Sequence, residues 1–125
     1  MRDGVDYLFV YGTLRRNSKN KFATLLHSRA QLAGNARMPG RLYRLGRYPG
    51  AVATGVDGEW IRGELYRIDD RQWLLPALDR YEGSQFRRAN MAVRMDAGDQ
   101  VLAWVYLYRG TPAGALIRSG DWLRR

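Results

Sequence analysis

The clearest hydrophobic pattern in the chain is an alternation that precedes a longer apolar stretch. Ala89, Met91, Val93 and Met95 share one face of the segment from Arg88 to Met95. This period of two predicts a half-buried strand, because successive side chains of a strand point to opposite faces. The following segment, Gln100 to Tyr108, is apolar on both faces and predicts a strand covered on both sides at the centre of the fold.

Earlier segments predict further strands and one short helix. The run Tyr7 to Tyr11 ends at Gly12 and reads as a buried strand entering a tight turn. Asn20 to Leu26 predicts a short helix. The other predicted strands are several short pieces between Ala30 and Thr54, punctuated by Gly34, Pro39–Gly40, Gly46 and Pro49–Gly50, and the segment Glu59 to Ile68 with Ile61, Gly63 and Leu65 on one face.

A second helix is expected immediately before Gly83. Apolar residues recur at helical spacing from Leu74 to Glu82, and glycine is the residue type that closes a helix at the C′ position. Pro76 would disrupt a helix interior, so we expect a turn over residues 69–73 and a helix starting near Leu75, with Pro76 in its first turn. Asp69–Asp70 offers N-cap side chains.

These elements predict one α+β domain over residues 1–125. No repeat, linker or low-complexity tract divides the chain. Because strands outnumber helices, the sheet is expected to be small, mixed or antiparallel, and curled into a barrel with a few short flanking helices.

Composition excludes several kinds of chemistry. The chain has no cysteine, which removes thiol nucleophiles and Cys-ligated zinc, and His27 is its only histidine. Any reaction must then use carboxylates, tyrosine or backbone groups, and His27 itself is expected to be a solvated surface residue. No segment has the length of an apolar membrane span or a signal peptide, so a cytoplasmic location is expected.

The positive net charge suggests that the protein binds nucleic acid, but no other sequence feature supports this. The 21 basic residues outnumber the 12 acidic ones, which gives a net charge of +9, and phosphate neutralisation drives non-specific binding. The arginines are nevertheless spread along the chain. A solvated basic surface is therefore favoured over a nucleic-acid partner.

Two local features suggest chemistry, although each also has a simpler interpretation. Glu82 stands at the predicted helix C-terminus, where the negative end of the macrodipole should raise the pKa of a carboxyl group towards that of a general base. From this feature alone, a side chain pointing into water is the favoured interpretation. Tyr11 to Arg15 leaves a strand through Gly12, so its amides could hold an anion, but most such turns are only turns.

Read together with four later segments, that turn resembles the gamma-glutamylcyclotransferase-like family. The resemblance is greatest for the family's small bacterial and gamma-glutamylamine cyclotransferase branches and covers nearly the whole chain. The segments that carry it are Tyr11-Gly12-Thr13-Leu14-Arg15, Gly63 to Ile68, Leu78-Asp79-Arg80-Tyr81-Glu82-Gly83, Phe86-Arg87-Arg88 with Ala103 to Tyr106, and Ser119-Gly120-Asp121-Trp122.

The resemblance implies a barrel-like α+β fold and release of 5-oxoproline from a gamma-glutamyl amine or amide. Glu82 would be the general base, and the backbone amides of Tyr11, Gly12, Thr13 and Leu14 would hold the glutamyl head. Tyr106 is either a pocket tyrosine or a core aromatic residue. A small gamma-glutamyl molecule is the implied partner, with no cofactor, metal or membrane.

Two questions stay open at this stage. A binding protein of the same fold without turnover is the alternative to an enzyme. The leaving-group pocket would have to come from Arg37 to Glu59, which carries no specificity motif, so the leaving amine is not defined.

Overall fold

The computed structural model describes residues 6–55, 58–69 and 71–125. The helices of this described part are α1 (Lys21–Arg29), α2 (Arg71–Glu82) and a 3-10 turn (Trp122–Arg124). Its strands are β1 (Asp6–Val10), β2 (Ala30–Pro39), β3 (Arg41–Arg44), β4 (Pro49–Val52), β5 (Trp60–Ile68), β6 (Phe86–Met95), β7 (Gln100–Tyr108) and β8 (Leu116–Ile117).

Five of the described strands close into a barrel in the order β1-β5-β2-β6-β7, and β4, β3 and β8 form a separate small sheet. The barrel pairs are antiparallel except for the closure of β1 on β7, where Leu8 faces Trp104 in a parallel arrangement. The predicted α+β class with a small, mixed, barrel-like sheet and short flanking helices is confirmed.

The barrel wall separates two hydrophobic cores. Phe9 of β1 and Val105 of β7 point into the barrel. Their neighbours Leu8 and Tyr106 point outwards and pack under α1 and α2. Strand side chains alternate in direction, so a strand with a core on each side must be apolar at nearly every position. This explains the continuous apolar runs of β1 and β7.

The structure corrects several predicted boundaries. Helix α1 continues to Arg29, and the Asn20 side chain caps it by accepting hydrogen bonds from the amides of Phe22 (3.1 Å) and Ala23 (2.8 Å). The predicted short pieces after Ala30 begin with one ten-residue strand, β2. Gly34 does not break this strand, because its φ of +147° accommodates a register shift against β5.

Helix α2 begins before the predicted start near Leu75. It begins at Arg71 and holds Pro76 in its interior. The carbonyl that loses its partner is that of Gln72, four residues earlier, and Gln72 is exposed, so water can satisfy it. The predicted cap residue Asp70 lies outside the described residues. On β7, Leu102 is 64% exposed, so the prediction that both faces are covered is wrong at that position.

Candidate active site

Glu82 is the last residue of α2, and Gly83 closes the helix. Gly83 has a φ of +81°, and its amide donates to the carbonyl oxygen of Asp79 at 3.0 Å. This is the left-handed cap expected from the sequence. It turns the chain away directly after Glu82 and leaves that side chain on the final helical turn.

Burial raises the pKa of the Glu82 carboxyl group from its ordinary value near 4.5 to about 7. The helix dipole is the cause expected from the sequence, but in the structure the cause is lost hydration, which disfavours the charged form. Within the described residues, no hydrogen bond or ion pair offsets that loss for the carboxylate. Glu82 therefore has the properties of a base that is partly protonated at neutral pH.

Glu82 lines a cavity of about 330 Å³ at the edge of the barrel. All six residues singled out from the sequence line this same cavity, although they come from three separate parts of the chain. The lining comprises Phe9, Val10, Tyr11, Gly12, Thr13, Leu14, Tyr48, Pro49, Tyr81, Glu82, Phe86 and Tyr106. No sequence signal marks the other six lining residues as part of a site, because an apolar residue, an aromatic residue or a proline looks like a core or turn position until the fold is known. These are Phe9, Val10, Tyr48, Pro49, Tyr81 and Phe86.

The turn after β1 offers backbone donors to this cavity. Its closing hydrogen bond runs from the amide of Arg15 to the carbonyl oxygen of Gly12 at 3.1 Å. Among the described residues, the amides of Gly12, Thr13 and Leu14 have no backbone acceptor. Three consecutive amides without acceptors can bind a carboxylate or stabilise an oxyanion.

Gly12 is required here by close packing. Its φ is not in the left-handed region. A Cβ atom at this position would approach Pro49 Cγ to 2.6 Å, which is closer than such contacts allow. The absence of a side chain thus lets the start of β4 close over the turn and contribute Pro49 to the cavity wall.

Thr13 is tied to both helices. The hydroxyl of Tyr81 donates to Thr13 Oγ1 at 2.7 Å, and the side-chain amide of Asn20 donates to the Thr13 carbonyl oxygen at 2.6 Å. The Tyr81 ring also packs on Phe22 of α1, with 4.6 Å between centroids. Since Tyr81 directly precedes Glu82, these contacts fix the end of α2 relative to the turn.

Tyr11 lines the cavity with a hydroxyl group that is already engaged. It donates to the carbonyl oxygen of Tyr106 at 2.5 Å and accepts from the amide of Ala51 at 3.3 Å. Burial, with a further contribution from the negative charge of Glu82, raises the pKa of Tyr11 well above its usual value. The phenol therefore stays protonated and serves as part of the wall.

Tyr106 fits both descriptions left open by the sequence, since it is buried and also lines the cavity. Its hydroxyl donates to Asp79 Oδ1 at 2.6 Å, and Arg88 binds both oxygens of Asp79 at 2.9 and 3.1 Å. Burial opposes ionisation of Asp79, but the hydrogen bonds from Arg88 and Tyr106 outweigh it and hold its pKa below the usual value. Burial and the bond to Asp79 raise the pKa of Tyr106.

Behind the turn lies a buried ionic cluster made of Arg15, Glu64 and Asp121. Arg15 Nη1 donates to Asp121 Oδ1 at 2.9 Å, and Arg15 Nε lies 3.4 Å from Glu64 Oε2. The amide of Arg16 donates to Glu64 Oε1 at 2.7 Å. This cluster joins three of the sequence segments that carry the family resemblance, and it anchors the far end of the turn.

His27 differs from the solvated residue expected from the sequence. It is half-buried, its ring stacks on Tyr66 at 5.5 Å between centroids, and its Nε2 lies 3.0 Å from the carbonyl oxygen of Leu14. His27 thus supports the turn from behind. In the described part of the chain, no three His, Asp or Glu side chains are grouped to hold a metal ion. None of the described helices is long and apolar enough to cross a membrane.

A closed five-stranded barrel with a glycine turn facing a desolvated glutamate places the protein among the gamma-glutamylcyclotransferase-like folds. The sequence defines the family. The model of the family described as gamma-glutamyl cyclotransferase, AIG2-like, matches residues 8–124, and the chain belongs to this family.

Its relatives include the gamma-glutamylcyclotransferase family protein YtfP of Escherichia coli K12, which is 38% identical over 122 residues and matches 94% of this chain and 96% of its own. The crystal structure of a mouse AIG2-like protein superposes with a TM-score of 0.71 at 28% identity, covering 87% of this chain and 80% of that one. YkqA of Bacillus subtilis gives a TM-score of 0.74 at 31% identity over 94% of this chain, which spans only 39% of YkqA.

Proposed function

We propose that this protein is a gamma-glutamyl cyclotransferase that releases 5-oxoproline from a gamma-glutamyl amine or amide. The observation that carries the proposal is the placement of Glu82, with its pKa raised to about 7, in the same cavity as the turn from Tyr11 to Leu14. Membership of the family supports the same reaction class.

In the proposed reaction, the ionised Glu82 carboxylate takes a proton from the substrate's α-ammonium group. The freed amine attacks the γ-carbonyl carbon of the same molecule, which forms the ring C–N bond and moves the carbonyl electrons onto oxygen. Collapse of this oxyanion breaks the bond to the leaving nitrogen, which receives the proton from Glu82. The ring nitrogen must still lose its second proton to become a lactam nitrogen; the regenerated carboxylate accepts this proton and passes it to the released amine. The products are 5-oxoproline and a protonated amine, and the carboxylate is free again.

The turn supplies the donors that this sequence of steps requires. Amides of Gly12, Thr13 and Leu14 without backbone acceptors are suited to the substrate's α-carboxylate or to the developing oxyanion. Because these donors are backbone groups, they need no ionisable side chain and cost little reorganisation when charge develops. The phenol of Tyr106 directs its proton to Asp79 and therefore contributes a wall rather than an acid.

The decisive experiment measures 5-oxoproline release by the wild type and by Glu82→Gln across gamma-glutamyl amino acids, gamma-glutamyl amines and ε-(gamma-glutamyl)-lysine. We expect the substitution to lower kcat by at least about a hundredfold, because a positioned general base contributes roughly 10²–10⁴-fold. Glu59→Gln is the matched control, since Glu59 pairs with Arg41 and does not line the cavity.

Circular dichroism and thermal unfolding of each variant would verify that the fold is retained. Activity that survives in Glu82→Gln would overturn the assignment of the base. Tight binding of gamma-glutamyl compounds by the wild type, without any product, would instead favour a non-catalytic binding protein.

A further inference from the structure

Three arginines that are far apart in the sequence lie side by side on the outer face of the barrel. Arg37 of β2 is paired with Arg62 of β5 on one side and with Arg94 of β6 on the other. Side chains of directly paired residues share one face of a sheet. The sequence neighbours Ala36 and Val93 belong to the core inside the barrel, so the three arginines point outwards and form an arginine row.

The arginine row lies on an open part of the barrel wall. The helices pack over a different part, around Leu8, Tyr66 and Tyr106. Arg94 and its β7 partner Gln100 are exposed, and none of the three arginines lines the cavity of Glu82. Because neighbouring strands are about 4.8 Å apart, the distance from β5 across β2 and β6 to β7 is about 15 Å. The row is thus part of an open strip of sheet.

The positive charge of the row is only partly neutralised. Arg62 binds both oxygens of Asp96, at 3.1 and 3.3 Å, and Asp96 is the one carboxylate of the described residues that is paired with the row. Arg94 donates a long hydrogen bond of 3.5 Å to the carbonyl oxygen of Gly98. Like charges directly opposite each other on neighbouring strands destabilise a sheet. An anion bound over the row would relieve this repulsion.

Arg37 at the centre of the row has an aromatic neighbour. Its guanidinium carbon lies 4.6 Å from the ring centroid of Trp60, which is half-buried at the start of β5. The buried Nε of Arg37 has no hydrogen-bond acceptor among the described residues. A tryptophan ring or an arginine plane is the kind of surface on which an unpaired base stacks.

The chemistry of this strip fits a chain of phosphate groups that carries bases. Guanidinium groups bind phosphate oxygens through paired N–H donors. The three guanidinium groups come from three successive strands, so they suit an extended polyanion better than one small ion. The net charge of +9 adds attraction at longer range.

We propose that the arginine row and Trp60 bind single-stranded nucleic acid across the outer face of the barrel. Phosphate groups contact Arg62, Arg37 and Arg94, and a base stacks at Trp60. The surface is separate from the cavity of Glu82, so this inference does not depend on the proposed reaction. The sequence favoured a solvated basic surface because the pairing of β5, β2 and β6, which brings the arginines together, is not visible in a local pattern.

Fluorescence anisotropy with a labelled oligouridylate of about 12 nucleotides tests the proposal. For three phosphate contacts, the logarithm of the association constant should fall with the logarithm of the salt concentration with a slope of about −2. Arg94→Gln removes one contact. It should bring the slope to about −1.4 and weaken binding about fivefold at low salt. Arg37→Gln should have a similar effect.

Arg87→Gln is the matched control for Arg94→Gln. Arg87 is also an exposed arginine of β6, but its side chain points to the opposite side of the strand. Its substitution removes the same charge and should change the affinity by less than about twofold. Thermal unfolding at low salt checks the fold, and Arg94→Gln should be at least as stable as the wild type because it relieves repulsion within the row.

Two further probes test the class of ligand. An abasic strand of the same length keeps the phosphates and should bind about fivefold or more weakly than oligouridylate, because it has no base to stack. Oligoglutamate of the same charge should bind more weakly still, because it lacks phosphate groups. Equally tight binding of either probe would overturn the assignment of nucleic acid.

The variants decide whether the row is the binding surface. Weaker binding and a smaller slope in Arg94→Gln, with wild-type behaviour in Arg87→Gln, would support the row. Equal weakening in both variants would mean that net charge alone produces the binding, and it would overturn the proposal. Failure of the wild type to bind oligouridylate at low salt would overturn it as well.

Discussion

At the scale of single residues, the raised pKa of Glu82 makes stability depend on pH. The folded protein binds the Glu82 proton more tightly than the unfolded chain does, since the pKa rises from near 4.5 to about 7. Between these values the folded state holds more protons, so the free energy of unfolding must fall as pH increases. The expected decrease from pH 5 to pH 8 is roughly 1–3 kcal/mol, because Glu82 keeps some exposure.

Urea unfolding at several pH values checks this expectation. The glutamine side chain of Glu82→Gln cannot ionise, so the free energy of unfolding of this variant should fall less between pH 5 and pH 8. The variant should therefore be more stable than the wild type at pH 8 but not at pH 5. Glu59→Gln, which removes a half-buried carboxylate outside the cavity, should retain the wild-type difference. A wild type and a Glu82→Gln variant with parallel pH profiles would contradict the burial argument.

Tyr81 is expected to act as a positioning residue for Glu82. Its hydroxyl bond to Thr13 ties the helix end to the turn, so Tyr81→Phe should lower kcat/KM by about tenfold while reducing stability by only about 1 kcal/mol. Thr13→Val should act similarly, and the double variant should be no worse than either single one, since both remove the same bond. The cycle is measured on 5-oxoproline release and on urea unfolding.

Tyr7→Phe is a suitable control, because Tyr7 lies on β1 and does not line the cavity. Additive losses in the Tyr81 and Thr13 variants would show that the two hydroxyls act independently. In that case the hydrogen bond between them would not position Glu82.

At the scale of elements, the contact between the turn and β4 limits what residue 12 can be. Gly12→Ala would place a methyl group 2.6 Å from Pro49 Cγ, and the proline ring, held in β4, has little room to move. We expect a loss of about 1–3 kcal/mol in stability, as for other overpacked sites. Pro49→Ala in the same chain should recover part of this loss, and thermal unfolding of the two single variants and the double variant measures it.

Gly58→Ala is the contrasting glycine substitution, because a Cβ atom there meets no atom of the described residues within 4 Å, whereas its φ of +87° opposes the change. Pro49→Ala should not rescue that variant. Recovery at both positions would mean that Pro49→Ala stabilises the protein in general and does not relieve a local clash.

The element scale also shows how far local pattern can predict this fold. Four of the five barrel strands (β1, β5, β6 and β7) and the glycine cap of α2 follow from apolar patterning and residue type, and they were predicted, whereas β2 was expected as several short pieces. The start of α2 was not, because the cost of Pro76 depends on whether the carbonyl of Gln72 reaches water, which is a property of the folded surface. Leu102 was expected to be covered but is exposed. Whether a strand face is covered depends on elements distant in sequence, so the local pattern cannot predict it.

At the scale of the whole molecule, the candidate site is assembled from separate parts of the chain by contacts that no local pattern contains. The resemblance identified Glu82 and the turn, but not why they face each other. That placement depends on the bond between Tyr81 and Thr13 and on the packing of Pro49 against Gly12. Tyr81 and Pro49, which make these contacts with the turn, look like ordinary core or surface positions when each is taken alone.

The buried cluster of Arg15, Glu64 and Asp121 gives the last prediction, because it joins the turn to β5 and to the C-terminal segment. Arg15→Met would remove the one buried cation of the cluster and leave its two carboxylates with only the exposed Arg16 and Arg124 nearby, and breaking a buried pair costs about 3–5 kcal/mol. Arg16→Met is the neighbouring control. The Arg16 side chain is 57% exposed, and its Nε lies 3.6 Å from Glu64, so its loss should cost about 1 kcal/mol or less.

Urea unfolding of the two methionine variants measures this difference, and a third variant tests its cause. If unpaired charge is responsible, adding Asp121→Asn to Arg15→Met should restore part of the lost stability, since it removes one of the two stranded carboxylates. Equal losses in Arg15→Met and Arg16→Met would show that the cluster contributes no more than a surface pair. A large loss at Arg15 alone, partly reversed at residue 121, would establish that the buried ion pairs behind the turn stabilise the fold.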